Sequence, residues 1–323
     1  MESVRAVLEV LKLSSAVDLL HHLSCVCSHW HKLSTYSEVW QTYCEIEGIN
    51  VHDWPDKSAR DTYRLGGYLA TTLVYVRDYT IKLISVKGLP SSSAIKKFTL
   101  KTESGRSDDN GYCLISRLRV IRFGVQHSTI VQDINLKTGE ISLLPPMSET
   151  RIYPGVLRYQ GDLIYLFGGR TRVCEKFHLQ AKQWERLAGE MTEPLEALMP
   201  ALHGTKVYLA GHTTVEVCQL LGETFTQLPF SLPKDWWYTF CLVDREELVV
   251  VQNGAVGRWT IDSQESQFRV STWAGFGSGY YSNCPPVWYQ GELYSLFNII
   301  PNIGGLLAFS PSQNLLRKVL GSI

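Results

Sequence analysis

The sequence carries no excess of either charge: 31 Lys and Arg stand against 31 Asp and Glu in 323 residues. That balance argues against nucleic acid or an anionic membrane surface as the main partner. Long apolar runs are missing too. The densest stretches, such as Leu248–Val251, fall far short of the roughly 18–20 residues a membrane-spanning helix needs. The opening residues MESVRAVLEV show no basic flank, long apolar core and small-residue cleavage site, so export is not expected. Eight irregularly spaced cysteines provide no disulfide framework, which makes reduced thiols in the cytoplasm or nucleus the expectation. With 45% hydrophobic and 19% charged residues, the chain is globular rather than disordered. GxSxG, HExxH, CxxC and phosphate-loop signatures are absent, and Gly275, Gly277 and Gly279 have no strand-to-helix context.

What is present falls into two regions with different periods. In residues 1–50, Leu19, Leu23, Val26, Trp30 and Leu33 recur at helical spacing and form one stripe, widened by Leu20 and Cys27. Ser37 leads into a further helical turn carrying Trp40. Leu8, Leu11 and Leu13 join the same surface. Such a short helical unit holds too little core to stand alone, so its stripe must pack on something. The segment 21–32, HHLSCVCSHWHK, tempts a zinc reading. Its Cys25, Cys27, His29 and His31 run in steps of two, however, which on a helix sends successive side chains to opposite sides. No metal or other cofactor is expected. Residues 51–64 turn polar around Pro55 and read as a linker.

From residue 65 to 323 the pattern is short apolar strands punctuated by Gly, Pro, Ser and Asp. Taking Val76, Phe123, Phe167, Ala210, Val251 and Phe297 as equivalents, the intervals are 47, 44, 43, 41 and 46 residues. A strand-only period of this length is the signature of propeller blades. The expected fold is an all-β six-bladed β-propeller preceded by a small all-α domain. In the clearest repeat, 155–159 is the innermost strand, 162–168 the second, 174–179 the third and 183–187 the outermost. In an antiparallel blade, loops joining second to third strands emerge beside the segments leading to the next blade. Loops at 77–80, 124–129, 169–173, 211–215, 253–257 and 298–304 therefore define one face, with inter-blade segments such as 146–154, 188–200 and 229–240. That face is expected to carry Arg151, Tyr153, Arg170, Arg172, Trp236, Trp237, Tyr238, Tyr280 and Tyr281, residue types enriched at interface hot spots. Its arginines suit an acidic or phosphorylated ligand.

The strand region resembles kelch repeats. The copy at 154–187 has Gly168-Gly169 closing the apolar strand, then Phe177, where the family usually has Tyr, and Trp184. Elsewhere the glycines are single, as at Gly124, Gly211 and Gly254, and Gly304-Gly305 falls late in its loop. The helical region resembles an F-box, with Leu19, Leu23, Val26, Cys27, Trp30, Leu33 and Trp40 in the family's places, although the family's opening Leu-Pro pair has no counterpart. This domain order implies the substrate-recognition subunit of a Skp–cullin–F-box-type ubiquitin ligase, itself without catalytic residues. Leu8, Leu11, Leu13, Leu19, Leu20, Leu23, Val26, Cys27, Trp30, Leu33 and Trp40 would dock the Skp adaptor, and the propeller face would hold a protein substrate. The alternatives are an interaction scaffold with the same architecture or, with less support, a propeller enzyme.

Overall fold

The structure is a computed structural model. It describes residues 40–41, 72–77, 80–86, 95–100, 110–125, 127–159, 162–195, 200–211, 213–232, 240–244, 247–252, 255–261, 269–272, 287–289, 292–299, 303–310 and 315–320. The chain divides into two compact units, Met1–Ala70 with Tyr159–Asp162, and Thr71–Arg158 with Leu163–Ile323. In the first unit Trp40 and Gln41 are helical and Trp40 is buried. The expected docking residues from Leu8 to Leu33 lie outside the described residues.

All strands among the described residues belong to six antiparallel sheets. The first sheet holds β1 (Thr72–Arg77), β2 (Thr80–Ser85) and β3 (Ile95–Thr99). The second holds β4 (Gly111–Ser116), β5 (Arg119–Phe123), β6 (Val131–Asn135) and β7 (Glu140–Leu144), and the third β8 (Gly155–Tyr159), β9 (Leu163–Phe167), β10 (Glu175–His178) and β11 (Gln183–Arg186). The fourth is β12 (Ala201–His203), β13 (Lys206–Ala210), β14 (Val215–Gln219) and β15 (Thr224–Gln227). The fifth is β16 (Phe240–Asp244), β17 (Glu247–Gln252), β18 (Ala255–Thr260) and β19 (Arg269–Thr272). The sixth is β20 (Val287–Tyr289), β21 (Glu292–Ile299), β22 (Ile303–Ser310) and β23 (Leu315–Leu320). Each sheet is a meander in which neighbours in sequence are neighbours in space. β1 of the first sheet also lies beside β21 of the last.

Alternation on the strands stacks the sheets face to face. Ile121 and Phe123 of β5 share a buried cluster with Ile164 and Leu166 of β9 and Phe177 of β10. Tyr208 and Ala210 of β13 do the same with Leu248 and Val250 of β17 and Trp259 of β18. The second sheet thus packs on the third, and the fourth on the fifth, through alternate residues of their strands. Trp184 seals the second-to-third gap. Its ring lies 4.8 Å from that of Phe177 and 6.1 Å, edge-on, from that of Phe123, and its Nε1 donates to the Pro145 carbonyl at 2.8 Å. Turns follow local chemistry: the Asn135 side chain accepts from the Lys137 and Thr138 amides, and Gly139 follows with φ of 70°.

Two expected loops are shorter than the sequence pattern implies. β18 already begins at Ala255, and β22 runs through Gly304 and Gly305, which pair with Asn298 and Phe297. This glycine pair is therefore strand rather than loop. A run of apolar residues on both sides carries the hairpin pairing through it.

Glycine has a steric reason in the strand-end turns. A Cβ on Gly124 (φ 79°) would stand 2.7 Å from the Arg151 carbonyl oxygen, and one on Gly169 (φ 84°) 2.9 Å from the Arg151 Cβ. Gly204 also has positive φ, 59°, but nothing lies within 4 Å of such a Cβ. Gly204→Ala is expected to cost about 1 kcal/mol, the conformational term alone. Gly124→Ala, which adds a clash with backbone, should cost about 3 kcal/mol or more. Equal losses in urea denaturation would show that the close approach to residue 151 is unimportant.

Candidate ligand-binding loop face

The segments linking one sheet to the next do not run free over the surface. Two of them, the segments after the second and third sheets, seat on the following sheet through a carboxylate on its third strand. Glu175 stands opposite Leu166 on β9, and Glu216 stands opposite Leu209 on β13, so the two occupy one repeat position. Both are buried, at 1% and 0% exposure. Glu175 Oε1 accepts from the Ser148 amide at 3.0 Å. Glu216 accepts from the Thr192 amide at 2.9 Å, the Thr192 hydroxyl at 2.6 Å and the Glu193 amide at 3.4 Å. Just before each contact the backbone is tied again: the Met147 amide donates to the Thr129 carbonyl and the Met191 amide to that of Arg172. In the second sheet the corresponding residue is Gln132, opposite Arg122 on β5. Arg122 is itself fully buried, and that burial pulls its guanidinium below the usual arginine range.

Three residues past these contacts the two segments diverge. Leu195 fills one gap, with its Cδ2 2.6 Å from where a Cβ on Gly211 would stand. At the equivalent place in the preceding gap stands Arg151, with 0% of its surface exposed. Its Nη1 donates to the carbonyls of Gly168 (2.5 Å) and Val173 (2.9 Å), and its Nη2 pairs with Glu175 at 2.8 Å. The sequence pattern assigns Arg151 to the ligand-contacting set. Its complete burial corrects that assignment: a guanidinium enclosed by carbonyls and a carboxylate holds the loop from within and meets no ligand.

Gly168, Gly169 and Arg170 then take positive φ in succession (58°, 84° and 68°), turning the chain outward. The Gly169 and Arg170 amides both donate to the Leu195 carbonyl, at 2.7 and 3.2 Å. Arg172 Nε donates to the Met191 carbonyl at 2.7 Å, and the Thr171 hydroxyl donates to Glu149. Arg170 and Arg172 are exposed, and Tyr153, with φ of 53°, is half-buried. The structure thus brings 148–153, 168–173 and 191–195 together on one face, as strand direction requires. Trp236, Trp237, Tyr238, Tyr280 and Tyr281 lie outside the described residues.

The glutamate seat escaped the sequence reading, although a signal was there. Met147-Ser148-Glu149 is echoed by Met191-Thr192-Glu193, and Glu175 is echoed by Glu216 in an apolar strand, all at the repeat interval. Among the described residues no group of three His, Cys, Asp or Glu side chains is placed to hold a metal ion. His178 faces Glu185 across β10 and β11 at 3.2 Å. Neither a protein-family model nor a curated protein sequence matches this chain. Among the described residues no helix is long and apolar enough to cross a membrane.

The arginine–glutamate pair generates one test. Removing one partner of a buried pair strands the other, at a cost of about 3–5 kcal/mol. Arg151→Leu should lose that much in urea denaturation, and adding Glu175→Gln should return about 2 kcal/mol of it. Strict additivity of the two substitutions would refute the pairing. A second test concerns the thiols. Burial pushes Cys113 up to about 11 and Cys174, Cys218 and Cys241 up to about 12. At pH 8 their thiolate fraction is about one in a thousand or less. These four should therefore resist alkylation in the native protein and react fully in denaturant, as read residue by residue by mass spectrometry. Rapid native labelling of any of them would contradict the burial.

Proposed function

We propose that this chain is a substrate-recognition adaptor of a Skp–cullin–F-box-type ubiquitin ligase, with an F-box-like helical segment before a six-bladed kelch-like β-propeller. The propeller half is supported by one observation above the rest. Six successive antiparallel meanders recur at a near-constant interval, the second packs on the third and the fourth on the fifth, and β1 lies beside β21, as a closed ring requires. Kelch character is supported by Gly168-Gly169 packed against residue 151, and by Phe177 paired across β10 and β11 with Trp184. The ligase half rests on the sequence stripe Leu19, Leu23, Val26, Trp30 and Leu33 and on the helical, buried Trp40.

In this reading the chain performs no bond chemistry itself. The helical segment docks the adaptor, the loop face holds a protein substrate, and tethering raises the effective concentration of substrate lysines near the charged conjugating enzyme. The full chain should capture purified Skp adaptor in a pull-down. The double variant Leu23→Asp/Trp30→Asp should lose capture by about 100-fold or more, because two apolar anchors are removed from the docking stripe. Undiminished capture by the folded double variant would overturn the ligase reading and leave an interaction scaffold.

A further inference from the structure

We draw no further inference here: the strongest candidate, the polar row across the second sheet in which Tyr112 of β4 and Gln132 of β6 flank the fully buried Arg122 of β5, carries no ligand site, because its guanidinium is already hydrogen-bonded to both neighbours within the chain.

Discussion

Stacked sheets depend on how one is fixed to the next, and where the second meets the third and the third meets the fourth the fixing element is a buried carboxylate. Hydrophobic burial supplies the bulk attraction between faces but is indifferent to small rotations and slides. Glu175 and Glu216 remove that freedom. Each accepts hydrogen bonds from the segment arriving from the previous sheet, at donors of defined position, so the segment has one register. Burying a carboxylate is tolerable only when its lone pairs are filled, and the arriving backbone amides fill them.

The same position in successive sheets shows how the requirement can be met in two ways. Glu216 is satisfied by Thr192 and Glu193 alone, and the space beyond it is closed by Leu195. Glu175 receives one backbone amide and the guanidinium of Arg151, which occupies the place of Leu195. A polar and an apolar plug can serve in equivalent gaps because glycines leave room for them: Gly124 and Gly169 admit the backbone around residue 151, and Gly211 admits the Leu195 side chain itself.

How much of this was legible in the sequence follows from the range of each interaction. Strand positions and their order within a repeat were readable, because alternation and turn residues are local. The expected strands at 155–159, 162–168, 174–179 and 183–187 agree closely with β8 to β11. The equivalence of Phe123, Ala210 and Val251 agrees with their pairing to the first or second residue of the third strand, and Phe167 directly follows Leu166, which pairs with the first residue of β10. Gly304-Gly305 was misread because glycine signals a turn only when its neighbours do not pair, and here they do. Arg151 was misread for a different reason. An arginine in a polar segment is usually solvated, and only its carboxylate partner 24 residues away reverses that expectation.

The arginine in place of leucine is tied to loop length. Two more residues separate Phe167 from Glu175 than separate Ala210 from Glu216. The longer excursion leaves the Gly168 and Val173 carbonyls at the base of the loop without strand partners on that side. An apolar plug would leave both buried and unbonded, at about 1–3 kcal/mol each. Arg151 donates to both with one nitrogen and to Glu175 with the other. The buried guanidinium is therefore what lets this sheet carry a longer loop without losing its packing. The added length presents Arg170 and Arg172 at the surface.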